Sequence, residues 1–209
     1  MPSEILVITG PMKSGKSGKF IEIVRRYQRE HKSVLVIKPA MDNRFGSKYK
    51  DSIVSRMTIG GRSKLVASIS AIPVRTYKQI LELVAKTRCN VLAADEVQFF
   101  GKIDGKEFFE GDFVELSLHL CRERGINLIL SGLDLTARLE PFGIMPQLLA
   151  HADKVDKVLA SCYECGQPAR YTQKIGGDPF KTVEVGDTNY EARCYSCHRL
   201  PEDLNLGHQ

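Results

Sequence analysis

Short apolar runs alternate with longer amphipathic segments over the first 150 residues of the chain. Four runs are nearly continuous in apolar residues, as strands covered on both faces of a sheet are. They are Ile5 to Thr9, Val34 to Lys38, Val91 to Asp95 and Ile126 to Ser131. Three segments between these runs predict helices. They cover Lys16 to Arg29, Tyr77 to Lys86 and Asp112 to Arg124. This alternation predicts an α/β fold with a parallel sheet flanked by helices.

The stretch from Ala40 to Ser63 does not fit this alternation, because it is polar, basic and irregular. We predict a flexible loop there, with a possible short strand at Ile53 and Val54. The chain is expected to divide into a main domain at residues 1–155 and a small domain at residues 156–209.

A glycine-rich segment follows the first predicted strand directly and leads into the first predicted helix. Its pattern is G-x-x-x-x-G-K-S, a phosphate-binding loop or P-loop, and it predicts ATP binding with Mg²⁺. The eight residues are Gly10, Pro11, Met12, Lys13, Ser14, Gly15, Lys16 and Ser17. Lys16 is expected to reach the β and γ phosphates, and the Ser17 hydroxyl to ligate the metal ion. The sheet is therefore expected to be of the P-loop type, and the loop at residues 40–63 could close over the nucleotide.

Two acids end the apolar run at residues 91–95. Asp95 is placed at the carboxyl end of a predicted strand, where parallel sheets meet their cofactors, so it is expected to support Mg²⁺. Glu96 follows it and could accept a proton from an attacking hydroxyl, as in a kinase, or orient a water molecule, as in an ATPase.

Four of the six cysteines form two C-x-x-C pairs near the C-terminus, separated by 28 residues. The pairs are Cys162 with Cys165 and Cys194 with Cys197. Such pairs converge on one tetrahedral Zn²⁺, and four thiolate ligands leave no open position, so the predicted zinc is structural. His198 could replace a cysteine as ligand, but packing or hydrogen bonding nearby is the better interpretation. Cys89 and Cys121 are expected to be buried thiols.

Composition narrows the class of protein further. Hydrophobic residues make up 43% and charged residues 26% of the 209 positions, which is typical of a globular protein. No apolar stretch approaches the ~20 residues of a membrane span, and no signal peptide is recognisable, so a cytoplasmic location is expected. The net charge of +5 is mild and spread along the chain, which does not favour a stable nucleic-acid complex.

Together, these motifs make the whole chain resemble the type II thymidine kinases. The resemblance rests on the P-loop and the cysteine pairs, and most specifically on the run of six residues from Asp95 to Phe100. It rests further on Gly132-Leu133-Asp134, on Pro141-Phe142-Gly143 and on Tyr190 four residues before Cys194. The family implies transfer of the γ-phosphate of ATP to the 5′-hydroxyl of thymidine, with a pyrimidine site under a lasso-like loop held by structural zinc.

The resemblance also implies roles for individual residues. Glu96 would be the catalytic base, and Gln98 would lie at the ATP and Mg²⁺ site and help to shape the nucleoside site. The expected nucleoside-binding residues are Met12, Phe99, Leu133, Phe142, Val183, Glu184, Val185, Gly186 and Tyr190. The family further implies a homotetramer that is inhibited by dTTP.

Two departures from the family pattern concern the nucleoside pocket. Lys13 and Ala137 stand where the family has aromatic residues, which predicts a looser pocket and broader selectivity. Relaxed-specificity pyrimidine deoxynucleoside phosphorylation is therefore one alternative. A P-loop ATPase, or a nucleic-acid-associated zinc-ribbon protein that no longer phosphorylates thymidine, is the other.

Overall fold

A computed structural model of the protein describes residues 2–42, 50–59, 62–184 and 188–204. The strands are β1 Ile5–Thr9, β2 Val34–Pro39, β3 Ser52–Ile59, β4 Arg62–Ser70, β5 Ile72–Val74, β6 Val91–Ala94, β7 Lys102–Ile103, β8 Lys106–Glu107, β9 Asn127–Gly132, β10 Lys154–Lys157, β11 Ala160–Ser161, β12 Pro168–Ala169, β13 Tyr171–Lys174 and β14 Tyr190–Arg193. The α-helices are α1 Lys16–Arg29, α2 Tyr77–Thr87, α3 Phe113–Leu118 and α4 Met145–His151.

The main sheet contains six strands, all parallel, in the order β10-β1-β9-β6-β2-β5. The predicted α/β class with a parallel sheet is confirmed, and all four predicted strands belong to this sheet. Because the strands are parallel, the residues that follow β1, β6 and β9 meet at one edge. That edge carries the P-loop, the acidic pair and the segment that begins at Leu133.

Alternate strand residues face two separate apolar layers, which explains why the central strands are apolar on both faces. Ile8, Ala93 and Ile129 pack with α1, whereas Val7 and Leu92 pack with residues from α2, α3 and α4. The sheet is therefore the middle layer, and the P-loop is held between the sheet and α1.

The three predicted helices are present. α1 has the predicted bounds, and a capping box at Thr76 and Gln79 begins α2. The third prediction, Asp112 to Arg124, is only partly α-helical. The side chain of Asp112 caps α3, which changes after six residues into a π-helical turn at His119–Glu123.

The prediction of a flexible loop at residues 40–63 is wrong over its second half. β3 and β4 form an antiparallel hairpin, with a register shift between Ser55 and Arg56. Ile53 is buried with the α1 side of the sheet, so the hairpin is part of the packed structure. Residues 43–49, 60 and 61 lie outside the described part of the chain.

The C-terminal part consists of two short antiparallel ribbons. β11 pairs with β12, and β13 pairs with β14. The register of the second ribbon sets Lys174 opposite Tyr190, and residues 175–189 connect the two strands. The proposed division of the chain at residues 155 and 156 remains a prediction.

Candidate active site

The P-loop joins β1 to α1 by a tight turn that requires glycine. Gly10 has φ +144°, and a Cβ there would lie 2.1 Å from the carbonyl oxygen of Val158. Gly15 is left-handed, with φ +83°, at the N-cap of α1. The Nζ of Lys16 donates a hydrogen bond to the carbonyl oxygen of Pro11 at 2.8 Å. The loop thus bends around its own lysine, in the manner that a phosphate cradle requires.

Three buried hydroxyls lie in this loop or in the strands next to it. The side-chain oxygens of Thr9, Ser14 and Ser131 are buried and have no hydrogen-bond partner among the described residues. Thr9 and Ser131 belong to neighbouring strands, β1 and β9, and alternation along the strands sets them on opposite faces of the sheet. Since buried polar groups are nearly always hydrogen-bonded, the hydroxyl of Ser14, inside the P-loop, fits a site that takes up phosphate oxygens or water.

The acidic pair follows β6, which is separated from β1 by β9 alone. This spacing puts Asp95 roughly 10 Å across the sheet from the P-loop strand. The backbone N–H of Asp95 donates to the carbonyl oxygen of Ile37 at 3.2 Å. Glu96 is left-handed, with φ +55° and ψ +40°, and both acids are buried. A non-glycine residue in this conformation is typical of strained functional sites.

Gln98 connects Glu96 with the segment that follows β9. Its Nε2 donates to Glu96 Oε2 at 2.6 Å, and its Oε1 accepts from the backbone N–H of Leu133 at 3.1 Å. The side chain is fully buried. At Gly132, a Cβ would lie 2.6 Å from Gln98 Oε1. Gln98 therefore fixes the position of the Glu96 carboxylate, and it also lines the pocket described below; its expected place at the ATP and Mg²⁺ site remains a prediction.

Replacing Gln98 with leucine keeps the side-chain volume but removes both hydrogen bonds. We expect the catalytic rate to fall about 100-fold, because a carboxylate misplaced by about 1 Å costs about that factor. The KM for ATP should stay unchanged. Gln147→Leu, on the exposed face of α4, is the matched control. Steady-state kinetics check the prediction, and an unchanged kcat for Gln98→Leu would contradict it.

Gly143 is a second point at which backbone packing shapes this site. Its φ is +52°, and a Cβ would lie 2.2 Å from the carbonyl oxygen of Gln98. Gly143→Ala should therefore lower the free energy of unfolding by more than the about 1–2 kcal/mol that left-handed strain alone costs. Gly125→Ala is the control, because Gly125 has φ +67° but no atom near its missing Cβ. Urea denaturation of both variants tests the difference, and equal losses would contradict it.

A cavity of about 50 Å³ adjoins Glu96 and Gln98. Its walls come from the P-loop, the segment after β6, the segment after β9 and the C-terminal ribbon. The lining residues are Met12, Glu96, Gln98, Phe99, Leu133, Leu135, Thr136, Ala137, Phe142, Thr172, Thr182, Val183, Glu184 and Tyr190. Small-molecule sites usually have volumes of about 300–1,000 Å³, so the walls of this cavity must move apart to admit a ligand of that size.

Aromatic side chains form much of the pocket wall. The rings of Phe99 and Phe142 meet edge to face, with centroids 5.7 Å apart. Tyr190 is buried, and burial, together with the nearby negative charge of Glu184, raises the pKa of its hydroxyl. Tyr190 therefore stays neutral. A flat apolar ring with a few hydrogen-bonding groups at its edge would match such a pocket.

Most of the residues predicted for the nucleoside site lie together in this pocket. They are Met12, Phe99, Leu133, Phe142, Val183, Glu184 and Tyr190. Val185 and Gly186 lie outside the described residues. Lys13 is exposed and does not line the pocket, whereas Ala137 does. The side chain of Lys13, which replaces an aromatic residue of the family, therefore does not contribute to the described pocket walls. The binding roles of the residues that line the pocket remain predictions.

Sequence reasoning missed four lining residues, namely Leu135, Thr136, Thr172 and Thr182. Thr172 was missed because it reaches the pocket only through contact between segments that are distant along the chain. Its Oγ1 accepts a hydrogen bond from the backbone N–H of Met12 at 3.0 Å, which joins β13 to the P-loop. Leu135 and Thr136 follow the Gly132-Leu133-Asp134 motif directly, so that motif was the available signal for them.

The four cysteines of the two C-x-x-C pairs converge, with all Sγ atoms within 4.8 Å of one another. The Sγ atoms of Cys165 and Cys194 are 3.6 Å apart. Tetrahedral Zn²⁺ with bonds of about 2.3 Å sets its sulfur ligands roughly 3.8 Å apart, so the cluster fits a zinc ion. Gly166, at φ +73°, donates its N–H to the carbonyl oxygen of Cys162 and closes the first knuckle.

The electrostatics of the cluster favour a negative charge on Cys162. Burial opposes ionisation of this thiol, but hydrogen bonds from the backbone at Cys194, Cys165 and Glu164 outweigh it and lower the pKa to about 6. Hydrogen bonds with the other thiols, that of Cys165 first, raise the pKa of Cys197 to about 12. Without a cation, repulsion between the thiolates opposes ionisation of all four cysteines. A bound Zn²⁺ would supply the positive charge that allows all four to be deprotonated.

The second knuckle is tied to the pocket through residues that follow it. The Nε2 of His198 lies 3.3 Å from the carbonyl oxygen of Thr172, and the N–H of Arg199 donates to Gln173 Oε1 at 2.7 Å. His198 therefore hydrogen-bonds to β13, and it is not a member of the cysteine cluster. Burial lowers the pKa of His198. Cys89 and Cys121 are buried, as predicted.

The fold and the site define a nucleotide-binding α/β protein with a metal-binding appendage. The P-loop follows the first strand of the parallel sheet, the acidic pair lies at the same edge, and four cysteines converge near the C-terminus. A family model supports the same conclusion. The model for thymidine kinase matches residues 3–198, and the chain belongs to this family. Family membership supports a nucleoside kinase.

Several solved structures of viral packaging enzymes are similar to part of the chain. One is the genome packaging NTPase from Sulfolobus turreted icosahedral virus 2 in complex with sulfate, with 19% identity, a TM-score of 0.44, and coverage of 79% of this chain and 76% of that chain. Another is the DNA-packaging ATPase from Sulfolobus turreted icosahedral virus, with 23% identity, a TM-score of 0.45 and coverage of 74% of each. Likeness at this level carries no functional conclusion. Across the described residues, every helix is too short or too polar to cross a membrane.

Proposed function

We propose that the protein transfers the γ-phosphoryl group of ATP to the 5′-hydroxyl of thymidine. The observation that carries the proposal is the pocket in which Glu96 shares one cavity with Met12 of the P-loop, with the aromatic residues Phe99 and Phe142, and with Tyr190. A phosphate donor site and an apolar acceptor site thus adjoin the same buried carboxylate. An ATPase would have no need of an apolar pocket at this position.

In the proposed reaction, Lys16, Ser17 and Asp95 hold the triphosphate and Mg²⁺. The metal ion, when bound, neutralises charge on the phosphate oxygens. Glu96, held by Gln98, accepts the proton of the nucleoside 5′-hydroxyl as the new bond from oxygen to phosphorus forms. The bond between the γ-phosphorus and its bridging oxygen breaks, and the products are dTMP and ADP.

Selectivity in this account comes from backbone groups of Val183 and Glu184 in the pocket wall. A main-chain N–H and C=O are fixed in place, so a base with inverted donors and acceptors leaves buried groups unpaired. Thymidine and deoxyuridine share the pattern, and deoxycytidine inverts part of it. Ala137 replaces an aromatic wall, and we therefore propose that the enzyme discriminates weakly between pyrimidines that differ by one methyl group.

A panel of nucleosides with ATP and Mg²⁺ tests both parts of the proposal. The measured quantity is kcat/KM for phosphorylation of thymidine, deoxyuridine, deoxycytidine and deoxyguanosine. We expect thymidine to exceed deoxyuridine by less than about tenfold, the lower end of what one methyl group contributes. A preference above about 100-fold would refute the loose pocket, and ATP hydrolysis without any phosphorylated nucleoside would refute the kinase.

Other proposed properties rest on the family. dTTP would inhibit by placing its base in the acceptor pocket and its phosphates in the P-loop. The enzyme would form a homotetramer in the cytoplasm, without a stable nucleic-acid complex. Zinc would be bound by Cys162, Cys165, Cys194 and Cys197 and would hold the ribbon that carries the lasso.

A further inference from the structure

A fully buried lysine lies behind the wall that closes the pocket. Lys174 is the last residue of β13, and its side chain is about 2% exposed. Its Nζ donates to the carbonyl oxygens of Asp178 and of Lys181, the latter at 2.9 Å. It also lies 2.9 Å from Glu184 Oε2. One ammonium group therefore contacts three points of residues 178–184, which we name the closing segment.

The closing segment reaches the pocket at its C-terminal end. Thr182, Val183 and Glu184 line the cavity. Residues 178–184 belong to no helix or strand, so a sheet or helix does not supply the hydrogen bonds of their backbone. Lys174 thus supplies the hydrogen bonds that a strand or helix would otherwise provide, since buried carbonyl oxygens require donors.

The carboxylate of Glu184 is held between Lys174 and a glycine turn. Its Oε1 accepts from the N–H of Asp178 at 3.1 Å. A Cβ at Gly177 would lie 2.1 Å from Oε2, so only glycine leaves room for the carboxylate. Oε2 faces the ammonium of Lys174 at 2.9 Å, so the two charges form a close ion pair.

The charge pair is coupled to the aromatic wall as well. Burial opposes ionisation of Glu184, but the contact with Lys174 and the hydrogen bond from the N–H of Asp178 outweigh it, and the pKa of the carboxyl is lowered. The ammonium lies 5.9 Å from the centre of the Tyr190 ring, which is its register partner on β14. A cation at this distance is attracted to the ring face. Lys174 thus contacts both the closing segment and Tyr190, and these two parts of the chain line the same pocket.

We infer that Lys174 is a positioning residue that sets the closed position of the nucleoside pocket by binding residues 178–184. The inference rests on the proposed function for its kinetic consequence alone. Lys174 does not line the cavity and does not touch the P-loop contacts described above, so its effect should fall on the nucleoside and spare ATP.

Lys174→Met keeps most of the side-chain length and removes the charge. We expect the KM for the nucleoside to rise about 10- to 100-fold, the range for loss of hydrogen bonds to a charged group, while the KM for ATP stays unchanged. Lys174→Arg should recover most of the loss. Lys181→Met is the matched control, because the side chain of Lys181 is exposed and only its backbone carbonyl contacts Lys174.

Limited trypsin digestion tests the same inference without catalysis. In Lys174→Met, cleavage after Lys181 should be faster than in the wild type, and Lys181→Met identifies that fragment by its loss. If Lys174→Met yields no folded protein, Glu184→Gln replaces it, because this change keeps the side-chain size and removes the opposite charge of the pair. Cleavage after Lys181 should again be faster than in the wild type. Cleavage at the exposed β7–β8 hairpin serves as the internal reference.

The outcomes separate this inference from the proposed function. Faster cleavage after Lys181 supports the positioning role even if no nucleoside is phosphorylated, which would refute the kinase alone. Normal phosphorylation by Lys174→Met, with wild-type nucleoside KM and wild-type cleavage after Lys181, would overturn the positioning role and leave the kinase intact.

Discussion

Glu96→Gln is expected to reduce nucleoside phosphorylation by about 10²- to 10⁴-fold, the usual contribution of a general base. The glutamine retains an oxygen that can accept the hydrogen bond from Gln98 Nε2, so the local structure should persist. It cannot take the proton of the 5′-hydroxyl. Since Glu96 is beside the P-loop but not part of it, ATP should bind with wild-type affinity.

The control for this change is Glu82→Gln, an exposed glutamate on α2. Rapid-quench measurements of product, together with calorimetric titration of ATP, separate loss of chemistry from loss of binding. Retained turnover in Glu96→Gln would remove Glu96 from the mechanism. Loss of ATP binding would indicate instead that the carboxylate belongs to the donor site.

Loss of zinc is expected to weaken nucleoside binding while leaving the parallel sheet folded. Cys165→Ser removes one of four converging ligands, and structural zinc sites contribute about 10–16 kcal/mol of apparent binding free energy. The second knuckle connects to β13 through His198 and Arg199, and β13 carries Thr172 into the pocket. Disorder of the knuckle should therefore raise the nucleoside KM at least about tenfold.

Cys89→Ser and Cys121→Ser are the controls, because both thiols are buried outside the cluster. Metal analysis should find one zinc per chain in the wild type and in both controls, and none in Cys165→Ser. Chelation of the wild type should reproduce the kinetic change. Full nucleoside phosphorylation by a zinc-free protein would show that the ribbon does not depend on the metal.

The sequence predicts the centre of the fold well, because the central strands are buried on both faces. Continuous apolar runs mark β1, β2, β6 and β9 without ambiguity. β10 lacks this signal, since Lys154, Asp156 and Lys157 alternate with a half-exposed valine at the edge of the sheet. This segment is a strand because it pairs with β1. Pairing between segments that are distant along the chain leaves no pattern in the local sequence from which a strand could be predicted.

The β3–β4 hairpin shows the same limit. Its polar and basic residues predict a loop, yet a few inward side chains, Ile53 among them, pack on α1 and stabilise the pair. The π-helical turn after α3 could not be predicted from the sequence either, because an α-helix and a π-helix share a similar apolar pattern over one turn. For the hairpin, tertiary packing against α1 decided the structure.

For the candidate site, short motifs predict part of the pocket and chain topology supplies the rest. Met12, Glu96 and Phe99 could be named from short motifs, and all three line one cavity. Thr172 and Lys174 could not, because their contacts join segments that are distant along the chain or depend on an irregular turn. A buried lysine at the end of a short strand carries no sequence signal that distinguishes it from an exposed one.

The most direct test of the account follows the label from γ-labelled ATP in the presence of Mg²⁺ and thymidine. We expect label to accumulate at the 5′-position of dTMP in equal amount to the ADP formed, and little ATP to be consumed when thymidine is omitted. Recovery of the label as inorganic phosphate at the same rate with and without thymidine would contradict it.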